Sequence, residues 1–210
     1  MIKILIGDDH TVVREGLKQI VAETSDMVVS DEASNGHEVL NKALSSDYDV
    51  IVLDITMPGI HGLDVLKQIK SQKPALPVLV LSMHPEEQYA VRVIKAGAAG
   101  YLTKESASDE LIAAIRKVSS GRKYITSSLA EKIASDLETD AEKLPHEFLS
   151  DREYQVMCMI AEGKTVKEIA DELYLSVKTI STYRSRILEK TGMKTNAELT
   201  RYALQNSLIT

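Results

Sequence analysis

The chain has 210 residues, 44% of them hydrophobic, with 25 Lys and Arg against 31 Asp and Glu. That length holds one or two folded domains, and no apolar run approaches the ~20 residues of a membrane-spanning helix. The Met1–Ile6 stretch is too short for a secretory signal and the single cysteine, Cys158, excludes an intramolecular disulfide, so a cytoplasmic protein with no membrane partner is expected.

The net charge of −6 is unevenly spread. Residues 1–122 carry 13 cations against 17 acids, residues 123–147 carry 3 against 6, and residues 148–210 carry 9 against 8. Within 176–194, Lys178, Arg184, Arg186, Lys190 and Lys194 stand against Glu189 alone. A basic stripe in an acidic chain points to an anionic partner for one element.

In chain order, Ile2–Ile6 reads as a buried strand ending at Gly7-Asp8-Asp9. Thr11–Ala22 has apolar residues at helical spacing. Met27–Ser30 reads as a short strand and Gly36–Leu44 as a helix. Val50–Leu53 is a continuous β-branched and aliphatic run, suited to a strand buried on both faces, and it ends in a carboxylate, Asp54, before Met57-Pro58-Gly59 breaks it. A helix over 62–72, a strand Pro77–Ser82, a helix Pro85–Ala96, a strand Gly100–Thr103 and a helix Ser106–Ser120 follow. Five strands alternating with five helices predict a doubly wound α/β fold with a five-stranded parallel sheet over residues 1–122. Residues 123–147 read as a linker, with a short amphipathic helix carried by Leu129, Ile133, Ala134 and Leu137. Residues 148–210 read as a separate four-helix unit, its helix starts marked by Ser150 with Glu153, Thr165 with Glu168 and Thr195 with Glu198. Its second and third helices are joined by Tyr174-Leu175-Ser176, a tight helix-turn-helix connection.

Parallel strands bring their carboxyl ends to one edge, where open α/β sheets bind ligands. Asp8 and Asp9 end the first strand, Asp54 the third, Ser82 the fourth and Lys104 the fifth. Three carboxylates there form a hard oxygen site of the kind Mg²⁺ takes. Asp9 and Asp54 are expected as direct ligands, with Asp8 acting directly or through water. Lys104 would neutralise a phosphoryl oxygen and the Ser82 hydroxyl would bond another. Asp54, from the centre of the sheet, is the best phosphoryl acceptor. An Asp pair after a strand often does no more than cap a helix, and a lone Ser or Lys at a strand end means little; the signal is their conjunction. The five histidines, His10, His37, His61, His84 and His146, show no metal-ligand spacing, and most are expected at the surface.

On the third helix of the C-terminal unit, Val177, Ile180, Ile187 and Leu188 are placed toward its neighbours. Lys178, Ser181, Thr182, Ser185 and Glu189 share much of another face, which suits a recognition helix in the major groove, with Arg184, Arg186 and Lys190 at phosphates.

Asp8-Asp9, Asp54 with Met57-Pro58-Gly59, Ser82 and Lys104 resemble the receiver domain of two-component response regulators. Leu149-Ser150-x-Arg152-Glu153, Ile160-Ala161-x-Gly163, Glu168-Ile169-Ala170 and Val177-Lys178-Thr179-Ile180 resemble the LuxR-type helix-turn-helix, in the order of the NarL/FixJ class. The resemblance implies a transcription regulator rather than an enzyme acting on a separate substrate. A sensor histidine kinase would phosphorylate Asp54, with Mg²⁺ held by Asp8, Asp9, Asp54 and the Thr56 carbonyl. Ser82 would move toward the phosphoryl group, Tyr101 would switch rotamer, and the DNA-binding unit would be freed or would form a homodimer on promoter DNA. Glu105 stands where many receivers have proline, and bulky Met83, where many have a small residue, is expected to shield the phosphoryl site. Two rivals are a metal-dependent phosphohydrolase and a phosphorylation-independent DNA-binding protein whose receiver is a dimerisation scaffold.

Overall fold

The computed structural model describes residues 1–57, 60–83, 86–138 and 144–209. The expected Pro58-Gly59 strand break, His84 and Pro85, and part of the acidic stretch after Glu138 lie outside them. The chain divides into two compact units, Met1–Ile133 and Ala134–Thr210.

In the first unit, β1 (Ile2–Gly7), α1 (Thr11–Ala22), β2 (Met27–Ala33), α2 (Gly36–Ser45), β3 (Val50–Asp54), α3 (Gly62–Gln72), β4 (Val78–Ser82), α4 (Glu86–Lys95), β5 (Gly100–Thr103) and α5 (Ala107–Ser119) alternate as expected. The strands are all parallel in the order β2-β1-β3-β4-β5. The winding direction therefore reverses between β1, which Asp8 follows, and β3, which ends in Asp54, and this is where such sheets open a crevice. β3 and β4 are buried at every residue, so their apolar runs are continuous rather than alternating. One face of the sheet, through Ile4, Ile6, Val50, Val52, Leu79, Leu81 and Leu102, shares a core with Leu17 and Val21 of α1 and Leu111, Ile115 and Val118 of α5.

β2 runs three residues beyond its expected end, because Asp31, Glu32 and Ala33 pair with Leu5, Ile6 and Gly7 after a bulge at Ser30. Polar residues are tolerated there because β2 is an edge strand. Tyr124, expected in the linker, is tied to the opposite edge. Its N–H donates to the Ala99 carbonyl at 2.7 Å, and its hydroxyl donates to Glu110 Oε2 at 2.8 Å. The helix expected next is α6 (Ser127–Glu138). Leu129 is buried and Ile133 half-buried on it, but Ala134 is exposed, and the Leu137 side chain lies outside the described residues.

In the second unit a 3-10 turn, Pro145–Phe148, spans the expected boundary between linker and helical unit. Four helices follow: α7 (Asp151–Ala161), α8 (Val166–Glu172), α9 (Val177–Thr191) and α10 (Asn196–Gln205). α7 packs against α8, α9 and α10. Ser150 with Glu153 and Thr165 with Glu168 form complete capping boxes. The Thr195 box is half-built: its hydroxyl accepts from the Glu198 N–H, but Glu198 Oε2 accepts from the Lys194 N–H instead. α9 stops at Gly192, whose φ of +70° is the left-handed conformation that glycine adopts without strain.

Candidate functional site

The carboxyl edge of the sheet collects the predicted residues. Asp8 and Asp54 are each 1% exposed and Ser82 is fully buried. Lys104 Nζ lies 2.7 Å from Asp8 Oδ2 and 2.7 Å from Asp54 Oδ2, bridging the two carboxylates. Strand pairing sets this up. Gly7 pairs with Leu53, so the residues that follow them, Asp8 and Asp54, leave adjacent strands together. Ser82 pairs with Thr103, and the Lys104 N–H donates to the Ser82 carbonyl at 2.7 Å. The other oxygen of Asp54, Oδ1, accepts the Thr56 N–H at 2.9 Å, and Asp8 Oδ1 accepts the His10 N–H at 2.8 Å. Tyr101 is 2% exposed on β5, on the face opposite Leu102.

The electrostatics are those of an acidic site short of positive charge. Burial pushes the Asp54 carboxyl above its ordinary range; Lys104 opposes that rise and the Asp8 charge adds to it. For Lys104, burial works against the ammonium, but Asp54 and Asp8 outweigh it and hold its pKa above the usual value. Among the described residues Lys104 bridges two of the three acids, Asp8 and Asp54, and leaves Asp9 to His10. Donor atoms of Asp8, Asp9, His10 and Asp54 all lie within 4.8 Å of one another. Hard oxygens in that number, at an edge a phosphate can reach, fit Mg²⁺, which takes one or two carboxylates and keeps positions for water and phosphate oxygens. The Thr56 hydroxyl has no hydrogen-bond partner among the described residues.

On α9, Lys178, Ser181, Thr182, Ser185 and Glu189 are all exposed, as expected of a face turned away from the unit's core. The hydroxyls of Ser181, Thr182 and Ser185 donate to the carbonyls of Val177, Lys178 and Ser181, which leaves their oxygen lone pairs outward. Ile180 and Ile187 are fully buried, but Val177 is 50% exposed, contrary to its expected inward placement. It is the first residue of the helix, one turn before the packed stripe begins.

Two family models match the sequence: the response regulator receiver domain over residues 4–116, and the bacterial regulatory proteins of the luxR family over residues 147–203. The chain belongs to the two-component response regulators. It is 38% identical to the response regulator UvrY of Escherichia coli over 209 residues, 99% of this chain and 96% of UvrY. It is 36% identical to the response regulator GacA of Pseudomonas aeruginosa over 210 residues, 100% of this chain and 98% of GacA. Among solved structures, RcsB from Salmonella enterica serovar Typhimurium, bound to the rprA promoter in the presence of the phosphomimetic BeF3−, aligns with a TM-score of 0.66 at 27% identity over 100% of both chains. An RcsB–DNA complex aligns at 0.59 and 26%, covering 100% of this chain and 99% of that one.

In this response regulator several features were missed or misplaced by reading the sequence. Arg14, one helical turn into α1, donates from Nη1 to the Asp8 carbonyl at 2.7 Å and from Nε to Glu32 Oε2 at 3.2 Å, pinning the acidic loop to β2. His61 is 2% exposed rather than at the surface, and its Nδ1 accepts the Leu63 N–H at 3.2 Å to cap α3. Lys190 donates to the buried Glu153 Oε2 at 2.6 Å, and Arg184 Nε donates to Asn196 Oδ1 at 2.7 Å, so two of the three expected phosphate contacts already hold partners inside the unit. Lys178 and Arg186 make no side-chain hydrogen bond or ion pair among the described residues, which leaves their charge available. Met83, the residue that follows β4, is 67% exposed. The Lys104–Glu105 peptide is trans.

Proposed function

We propose that Asp54 accepts a phosphoryl group from a sensor histidine kinase in the cytoplasm and that this controls DNA binding by the luxR-type unit. The observation that carries the reading is the Lys104 ammonium 2.7 Å from both Asp8 and Asp54 at the sheet edge. A buried carboxylate with a cation alongside is a nucleophile beside a group that can neutralise a phosphoryl oxygen. The Asp54 carboxylate forms the new O–P bond as the N–P bond to the donor imidazole breaks. Lys104 hydrogen-bonds an oxygen of the transferred group, and the Ser82 hydroxyl, on the next strand, takes another. Mg²⁺, held by Asp8, Asp9, Asp54 and the Thr56 carbonyl, supplies positive charge against the transferring phosphoryl when bound.

Ser82 and Tyr101 sit on β4 and β5, so drawing Ser82 toward the phosphoryl group changes the packing under α4, where Tyr101 switches rotamer. The phosphoryl group binds the active arrangement better and shifts the population toward it. That arrangement forms a homodimer which presents Lys178, Ser181, Thr182, Ser185 and Arg186 to promoter DNA. The test is intact mass after incubation with Mg²⁺ and acetyl phosphate, for wild type and Asp54→Ala, followed by operator affinity of each product. A single phosphoryl adduct that needs Mg²⁺ and Asp54, and that raises operator affinity, is expected. Equal affinity with and without the adduct would make the receiver a scaffold.

A further inference from the structure

The geometry points to His10 as a nitrogen ligand that makes the acidic site select a later first-row transition ion, of the Co²⁺ kind, over Mg²⁺. This rests on the metal-site reading above and adds to it a residue from the loop between β1 and α1. His10 Nδ1 lies 2.7 Å from Asp9 Oδ1 and 3.3 Å from Asp8 Oδ1. Donors about 2.1 Å from a common octahedral ion stand about 3 Å from their neighbours, so these separations are those of adjacent ligands around one cation. All four donor atoms, one nitrogen and three carboxylate oxygens, fall within 4.8 Å of one another.

The loop holds the ring there. The His10 N–H donates to Asp8 Oδ1 at 2.8 Å, and the His10 carbonyl accepts the Arg14 N–H at 3.1 Å, the first bond of α1. The residue is extended, with φ −87° and ψ 108°, and its side chain caps no backbone N–H of that helix. The side chain is 61% exposed, so the ring's direction is set by its contacts with Asp9 and Asp8 and not by core packing or capping. Chemistry supplies the selectivity. Carboxylates alone suit Mg²⁺ and Mn²⁺, whereas imidazole adds affinity for first-row transition ions and adds little for Mg²⁺. An imidazolium merely paired with Asp9 would leave the metal preference untouched, and the two cases separate on that point.

The experiment is calorimetric titration of the full chain with Mg²⁺ and with Co²⁺, together with pulsed paramagnetic resonance of the Mn²⁺-loaded protein, for wild type, His10→Ala, Asp9→Asn and a surface control, His37→Ala. In His10→Ala, Co²⁺ affinity is expected to fall about tenfold or more while Mg²⁺ affinity stays within about twofold. The histidine nitrogen coupling in the Mn²⁺ spectrum should vanish in the same variant and persist in His37→Ala. Unchanged Co²⁺ affinity and an unchanged nitrogen signal in His10→Ala, with Asp9→Asn still weakening both metals, would overturn the role of His10 and leave the metal site standing. Wild type binding neither metal would overturn the metal-site reading and this inference with it.

Discussion

Asp54 is a carboxylate held where its own burial disfavours charge. Burial and the neighbouring Asp8 raise its pKa, and Lys104 recovers only part of the difference. The sign of the consequence follows. A carboxyl whose folded pKa lies above its unfolded value destabilises the fold once the pH exceeds the unfolded value, here 3.8, and the penalty is complete above the folded pKa. In EDTA at neutral pH, Asp54→Asn is therefore expected to raise the melting temperature of the first unit, with the gain shrinking as the pH falls toward 3.8. A gain that persisted undiminished at low pH would point to packing rather than charge. This residue was legible because an apolar run that ends in an acid has few readings other than a buried strand with a site at its end. His61 was not, because nothing in the sequence around it distinguishes a ring turned inward to accept the Leu63 N–H from one left in solvent. Arg14 was hidden for the same reason: its partner Glu32 is on a strand whose polar end gave no strand signal.

Elements meet this site through close backbone approaches as much as through side chains. Gly62 begins α3, and its N–H donates to the Ile55 carbonyl at 3.1 Å. A Cβ there would stand 2.5 Å from the Asp54 carbonyl oxygen and 2.6 Å from Ile55 Cα. Both are backbone atoms of the segment that carries Asp54, so relief requires moving it. Gly62→Ala is expected to cost about 1–3 kcal/mol in a denaturant melt and to lower the yield of phosphorylated protein. In the second unit the corresponding tie joins the start of α7 to the end of α9. Burial works to raise the Glu153 pKa, but the Lys190 ammonium and two hydrogen bonds from Ser150 outweigh it and hold the carboxyl below its usual range. A depressed carboxyl stabilises the fold above its unfolded pKa, 4.5, and loses that contribution as the pH falls through the folded value. Glu153→Gln should thus cost about 1 kcal/mol at neutral pH, discounted for the half-exposed Lys190, and should flatten the acid side of the helical unit's stability profile. An equally steep acid limb in the variant would place the pH dependence elsewhere. The capping box on Glu153 could be read from four consecutive residues, whereas the bond to Lys190 spans 37 positions and exists only in the folded unit.

At the scale of the whole molecule, charge sets a constraint on the proposed gain in DNA affinity on phosphorylation. The chain already carries a net charge of −6, and the receiver's share of it is negative. A phosphoryl group makes the protein more acidic by about 1.5–2 charges. Long-range electrostatics therefore work against DNA binding by the phosphorylated form, and a gain in affinity has to come from geometry. The basic face of α9 has few unengaged charges to give, since Lys190 and Arg184 are occupied within the unit while Lys178 and Arg186 are free among the described residues. So few phosphate contacts make one copy a weak binder, because each neutralised phosphate adds about 0.9 to the salt slope of duplex binding. Two copies on one operator double the number of such contacts without any new residue. The slope of log affinity against log salt is accordingly expected to about double on phosphorylation, and the apparent affinity to depend on protein concentration. Lys178→Ala and Arg186→Ala should each lower the slope by about 1 per copy, while Lys190→Ala should act first through stability. If affinity rises on phosphorylation with the slope unchanged, the second copy contributes nothing and activation consists of uncovering the α9 face of a single chain. The doubling therefore distinguishes a receiver that assembles two DNA-binding units from one that releases its own.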